Sequence, residues 1–272
     1  MKIAFKEYTL HVEDFNSQAD ETLVMLNGIM MSTYSWQPFL PSLTKFQRVV
    51  LIDMLDQGQS TKLVELDYDQ SIQVEAVKTV VDELELNNFS LFGISYGGEV
   101  AMQFAIKYPK LIKKLLLFNT TAKTSEWLRE VGESWNLATY DAKAYYATTI
   151  PTIYSPKFYQ EKQSWMASRK EKLLQVFSNK EFTDAMIRLT NSANNHDVED
   201  ELHKITMPTL VVGSQLDTIT PFQEQEKLAS LIPNAQLMKI LDTGHASMYE
   251  KPSLFITLIL GFVLNDQQEV VI

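Results

Sequence analysis

Ser95 lies in the run Phe89-Ser90-Leu91-Phe92-Gly93-Ile94-Ser95-Tyr96-Gly97-Gly98-Glu99-Val100, which passes from an apolar strand straight into a helix with only G-I-S-Y-G at the join. A turn that sharp is expected to hold its central residue at positive φ. Side chains beside it would collide, so glycine is needed two residues to either side, at Gly93 and Gly97. Gly98 extends the clearance where the helix passes the sheet. The Ser95 hydroxyl is thereby held clear of the sheet as a nucleophile. The backbone N–H of Tyr96 falls at a helix N-terminus, where the amide and the helix dipole both favour negative charge on an attacked carbonyl oxygen. The plain alternative is a glycine-rich structural turn with a solvated serine.

A serine hydroxyl needs a base to take its proton, and histidine is the usual base near neutral pH. The chain offers four histidines. His11 falls in an N-terminal strand or hairpin among polar residues, His196 in the polar stretch Asn194-Asn195-His196-Asp197, and His203 in a charged helix-like stretch. His245 stands in Leu241-Asp242-Thr243-Gly244-His245-Ala246, on a loop leaving the C-terminal edge of the last strand. Open α/β sheets keep their ligands at that edge.

The elements that must position these residues alternate along the chain. Strands are expected at Thr22–Leu26, Arg48–Ile52, Phe89–Phe92, Leu115–Asn119, Thr209–Val212 and Gln236–Ile240, and several are apolar throughout, as strands covered on both faces should be. Helical patterns lie between them at Ser71–Leu86, Gly98–Tyr108 and Phe222–Ile232, with Pro109 and Pro233 just past two of the helix ends. Alternation of this kind predicts an α/β fold with a mostly parallel sheet and helices on both faces. It breaks between Thr121 and about Ile205, where short amphipathic helices carry many aromatic residues and Pro151 and Pro156. That stretch is too long and too apolar for a surface loop. A core of residues 1–120 and 206–272 with a helical cap, 121–205, inserted between core strands is the expected organisation.

In these features the sequence resembles the α/β-hydrolase family, whose nucleophile elbow has the pattern G-x-S-x-G in this strand-to-helix setting. The resemblance runs from about Leu23 to Pro252. It places the catalytic histidine on the loop after the last strand, in a G-H-x-x-x-x-E-x-P-like setting that Gly244-His245 and Glu250-Lys251-Pro252 match. It also places the acid between serine and histidine in chain order. Asp217, on the loop after Thr209–Val212 and ahead of Pro221, occupies the family's usual acid position, where it would fix the His245 tautomer. Asp242, three residues from His245, is a rival better suited to capping its own loop. The other common acid site holds the uncharged Asn119. A second oxyanion-hole amide is implied in Asn27-Gly28-Ile29, as the Ile29 N–H beside that of Tyr96, with Asn27 where many relatives have histidine. Asp53, Gly58 and Ser60 match the family's D-x-x-G-x-G-x-S loop, from which Asp56 and a missing first glycine depart.

The chemistry this implies is attack by Ser95, an acyl-enzyme, and its hydrolysis, on a small, largely apolar carboxylic ester or lactone. Other uses of the same residues in the family are carbon–carbon bond hydrolysis, aminopeptidase and cofactor-free haloperoxidase activity, or ligand reception with little turnover. Haloalkane dehalogenation needs an aspartate where Ser95 stands. Composition narrows the remainder. The 272 residues carry a formal net charge of −10 and no cysteine. Such acidity disfavours nucleic acid as a partner, and thiol nucleophiles and thiolate metal sites are excluded. Neither metal-ligand spacing nor a nucleotide-binding glycine fingerprint is present, so no cofactor is expected. The first seven residues lack a signal-peptide pattern, and the longest apolar run, Leu254 to Leu264, falls short of the roughly 20 residues that span a bilayer. A cytoplasmic protein acting on a small molecule, without membrane association, is the expectation.

Overall fold

The computed structural model describes residues 1–64 and 66–265. Eight strands form one sheet: β1 (Lys2–Phe5), β2 (Tyr8–Phe15), β3 (Thr22–Leu26), β4 (Arg48–Asp53), β5 (Phe89–Ile94), β6 (Ile112–Phe118), β7 (Thr209–Ser214) and β8 (Ala235–Ile240). Their spatial order is β1-β2-β4-β3-β5-β6-β7-β8. The β1–β2 hairpin pairs antiparallel to β4, and every later pairing is parallel. The short helix α1 (Leu40–Leu43) precedes β4, α2 (Ser71–Glu83) precedes β5, and α3 (Tyr96–Lys107) leaves it directly. Five helices follow β6: α4 (Glu126–Ala138), α5 (Ala142–Ile153), α6 (Pro156–Glu161), α7 (Gln163–Phe177) and α8 (Lys180–Ser192). The chain then adds α9 (Phe222–Leu231), α10 (Ser247–Glu250) and α11 (Pro252–Val263).

The central strands are apolar throughout because both faces are covered. Val24, Val50, Leu91 and Leu115 face one core, with α2 and α3. Met25, Leu51, Phe92 and Leu116 face the other, with Trp36 and the α11 residues Phe255, Ile259 and Val263. No helix among the described residues is long and apolar enough to cross a membrane. The apolar run Leu254–Leu264 instead buries that i, i+4, i+8 stripe against the sheet.

Two departures from expectation have visible reasons. β6 begins at Ile112, three residues early, because the Lys114 ammonium is buried and donates to the carbonyls of Phe262, Val263 and Asn265 at the end of α11. A lysine with such a task hides a strand start from hydropathy. The second difference concerns Asp56, one of the departures from the family loop. It takes positive φ (67°), its side chain is fully buried, and it accepts from the Leu63 amide (2.9 Å) and the Tyr68 hydroxyl (2.8 Å). Arg188 of α8 grips both its oxygens, at 3.0 and 2.6 Å. This pair ties α8 to the loop that follows β4. Arg188→Met leaves a buried carboxylate without its cation and should cost about 3 kcal/mol in urea unfolding. Asp56→Asn combined with it should cost less than the sum of the two single changes.

Sheet register aligns the chemistry. Leu26 pairs with Gly93, Ile94 with Phe118, Phe118 with Val212 and Ser214 with Ile240. The loops that leave β3, β5, β6, β7 and β8 therefore emerge at one sheet edge. They carry Ile29, Ser95, Asn119, Asp217 and His245.

Candidate active site

Ser95 joins β5 to α3 with φ 54° and ψ −124°, a backbone conformation that non-glycine residues adopt only where surrounding structure imposes it. A Cβ on Gly93 would run into the Gly97 carbonyl, and one on Gly97 would lie 2.5 Å from the Leu26 carbonyl oxygen. The turn therefore closes only with glycine at both places. The Ser95 backbone is pinned by its N–H to Phe118 O (2.9 Å) and by the Thr120 hydroxyl on its own carbonyl (2.8 Å).

From this turn a hydrogen-bond chain runs through three of the expected residues. Ser95 Oγ lies 3.0 Å from His245 Nε2, and His245 Nδ1 lies 2.8 Å from Asp217 Oδ2. The carboxylate fixes the proton on Nδ1, which leaves the Nε2 lone pair free to accept from Ser95. The Asp217 side chain is fully buried. Burial pushes its carboxyl up, but the His245 imidazole, with hydrogen bonds from His245, Asn119 and the Thr220 amide, holds it below the usual carboxylate range. Asp242 is exposed and faces Lys157 at 3.4 Å, away from the imidazole.

Several supporting groups escape a sequence reading. Asn119, at the rival acid position, donates to Asp217 Oδ2 (2.9 Å) and accepts from Ser247 (2.9 Å). Thr220 gives Asp217 both its amide and its hydroxyl, each at 3.0 Å. This is an Asx-type turn whose signal is the Asp217-Thr218-Ile219-Thr220 spacing. Glu250 of the matched motif accepts from the Gly244 amide (3.1 Å), the Ser155 amide (2.8 Å) and the Ser155 hydroxyl (2.5 Å). It thereby clamps the His245 loop to the turn between α5 and α6.

Asn27 is a loop holder and not a bare turn residue: its amide donates to Ile52 O (2.9 Å) and its oxygen accepts from Trp36 Nε1 (2.7 Å). Gln57 donates to the Gly28 carbonyl at 3.0 Å. In a trans peptide that turns the Ile29 N–H the opposite way. A Cβ on Gly28 would be 3.5 Å from that of Ser95, so this peptide runs beside the serine. The Tyr96 N–H is in the first turn of α3, where amides have no partner within the helix. No sequence pattern singles out Gln57.

Ser95, Tyr96 and Ile29 line a cavity of about 60 Å³. Leu128, Val131 and Trp135 of α4 wall it, so of the many aromatic residues in the insert, Trp135 is the one that reaches the serine side. The Tyr96 hydroxyl meets Ser192 of α8 at 2.8 Å, which links α8 to the start of α3. A wider cleft of about 1610 Å³ begins at Met30 and Met31, next along the chain from Ile29, and runs between Trp165, Arg169 and Tyr249. Neither Ser95 nor His245 lines it. Ser95 lines the small cavity, and His245 is in the lining of neither.

A fold of this topology with this serine turn at its sheet edge defines a class. The family profile described as alpha/beta hydrolase fold matches residues 21–252, and the chain belongs to that family. Among solved structures, MGS-M2, an alpha/beta hydrolase enzyme from a Medee basin deep-sea metagenome library, is 43% identical, with 100% of each chain covered and a TM-score of 0.96. A protein of Stutzerimonas stutzeri (strain A1501) named "Putative carbamate hydrolase RutD" is 27% identical over 259 residues, covering 90% of this chain and 92% of its own. The enol-lactonase from Burkholderia xenovorans LB400 is 18% identical, with a TM-score of 0.83 over 97% of this chain and 100% of its own, a likeness of fold alone.

Proposed function

We propose that this chain is a serine hydrolase that cleaves short-chain carboxylic esters or lactones through an acyl-enzyme on Ser95. The observation that carries this reading is the 3.0 Å contact from Ser95 Oγ to an Nε2 whose ring is oriented by Asp217, at the wall of a small cavity. Ser95 Oγ attacks the acyl carbon as its proton passes to His245 Nε2. The Tyr96 and Ile29 amides receive the oxyanion, each donor being worth roughly 3 kcal/mol in such sites. Collapse transfers the proton from His245 to the departing alkoxide. Water, deprotonated by the same nitrogen, then frees the acid and restores Ser95. The insert 121–205 acts as the lid, with α4 over the acyl group and the wider cleft beyond Met30 receiving the alcohol.

Cavity size sets the acyl length. A cavity near 150 Å³ admits benzene and one near 15 Å³ a single water, so about 60 Å³ fits roughly two to four heavy atoms. In a p-nitrophenyl ester series, kcat/KM should peak between acetate and butyrate and fall at least tenfold by octanoate. An optimum at octanoate would overturn the size assignment. The relative named for carbamate hydrolysis supports a second reading, in which the same attack falls on a carbamate carbonyl. Phenyl carbamate added to the series separates the two.

A further inference from the structure

We propose that Glu99 is a specificity-determining residue of the Ser95 cavity and holds a hydroxyl on the second or third carbon of the acyl group. This inference rests on the esterase reading above and names the substrate class within it. Glu99 stands one helical turn beyond Ser95 on α3 and lines the same cavity. It is 5% exposed. One carboxyl oxygen, Oε2, accepts from Gln70 Nε2 at 2.5 Å. The other, Oε1, has no hydrogen-bond partner among the described residues, and no lysine, arginine or histidine there forms an ion pair with Glu99. Oε1 is therefore open to a hydrogen-bonding group on whatever occupies the cavity.

The carboxyl is also held in place. Gln70 accepts from Gln103 Nε2 (2.6 Å), which lies 3.1 Å from His196 Nδ1, and His196 Nε2 meets the Thr121 carbonyl at 3.0 Å. Burial pushes His196 down to about 4, so the ring is neutral, with Nε2 donating to Thr121 and Nδ1 accepting from Gln103. Every polar side chain along this route is engaged except Oε1 of Glu99, at its cavity end. An acid in the first turn of a helix returns up to about 1 kcal/mol through the dipole at an exposed position. That return does not require burial behind Leu128, Val131 and Trp135, which a purely helix-stabilising glutamate would avoid.

The chemistry of the walls selects the ligand. A methyl group against Oε1 leaves the oxygen unpaired. An ammonium would need a charged pair desolvated among apolar side chains, which gives back little net energy. Burial pushes the Glu99 carboxyl up to about 8, with the Gln70 hydrogen bond opposing, so the acid is neutral near pH 7. Because Oε2 already accepts from Gln70, the proton belongs on Oε1, from which it can be donated to an uncharged hydroxyl oxygen. The cavity then takes a hydroxyacyl group of about two to four heavy atoms.

The test compares p-nitrophenyl 3-hydroxybutyrate with the butyrate, and 2-hydroxypropionate with the propionate, in wild type, Glu99→Gln and Glu99→Met. In at least one pair, wild type should favour the hydroxy ester at least tenfold in kcat/KM, Glu99→Gln should keep the direction through its amide N–H, and Glu99→Met should favour the plain ester. Comparing ratios between variants cancels the intrinsic reactivity of each ester. Ratios within twofold of unity in wild type, or a wild-type ratio retained by Glu99→Met, would overturn the assignment. Should Glu99→Met not fold, Glu99→Ala carries the same comparison. A second arm needs no turnover: 3-hydroxybutyramide should bind the Ser95→Ala protein at least fivefold tighter than butyramide by NMR titration, and equal binding overturns the inference. If no ester is hydrolysed, the esterase reading fails while this arm still decides the role of Glu99.

Discussion

Ser95→Ala is expected to lower ester kcat/KM by about 10⁴- to 10⁶-fold while leaving the fold intact. Incubation with a fluorophosphonate should add one adduct to wild type and none to the variant, read by intact mass. The reason for the large effect is that, among the described residues, no other side chain presents a hydroxyl to Nε2 of His245. The Thr220 hydroxyl is 3.5 Å from Nδ1, on the Asp217 side of the ring. The reason the fold survives is equally local. Among the described residues Ser95 Oγ bonds only His245, whereas the backbone bonds of residue 95 to Phe118, Gly98 and Thr120 do not involve the side chain. Alanine keeps the Cβ and therefore the cost of φ 54°. Ser95→Gly removes that Cβ and should raise stability by roughly 1–2 kcal/mol in urea unfolding, with activity lost as in alanine. Comparable turnover by Ser95→Ala, or an adduct on it, would remove Ser95 as the nucleophile.

What the sequence makes legible follows from how local each constraint is. The serine turn is readable because its geometry is set by neighbours two residues away: Gly93 and Gly97 are required by contacts within the turn and with the adjoining β3 end. His245 and Asp217 are readable because each lies on a loop after a short strand, and the parallel register brings those strand ends to one edge. Asp56 and Arg188 are 132 residues apart, and nothing local to Asp56 marks it as an anchor for α8. The support of Asn119 for Asp217 spans 98 residues in the same way. Glu99 shows the limit most clearly. In sequence it is an ordinary acid in the first turn of a helix, which the dipole favours in water. Only when α4 and α3 come to wall one cavity does it become a carboxyl of low exposure on the same cavity as Ser95, and its chemistry changes with that burial.

Asp217→Asn should reduce kcat by about 10⁴-fold with KM little changed. The Ile219 and Thr220 amides donate to Oδ1 at 2.9 and 3.0 Å, so an asparagine at 217 places its carbonyl oxygen there and its NH₂ where Oδ2 was. That NH₂ faces His245 Nδ1 as a donor. The imidazole must then keep its lone pair on Nδ1 and its proton on Nε2, toward Ser95 Oγ, where it can no longer accept the serine proton. The imidazolium formed during attack also loses the buried charge that stabilises it. The effect is thus one of proton placement, and labelling by fluorophosphonate should slow in parallel with turnover while the fold persists. Asp242→Asn is the matched control: its carboxylate is exposed, and Lys157 stands 3.4 Å from it. It should change kcat by less than about twofold, in keeping with the small worth of surface ion pairs. Greater damage from Asp242→Asn than from Asp217→Asn would move the acid three residues from the histidine, to a position from which its carboxylate reaches the ring only if the loop refolds.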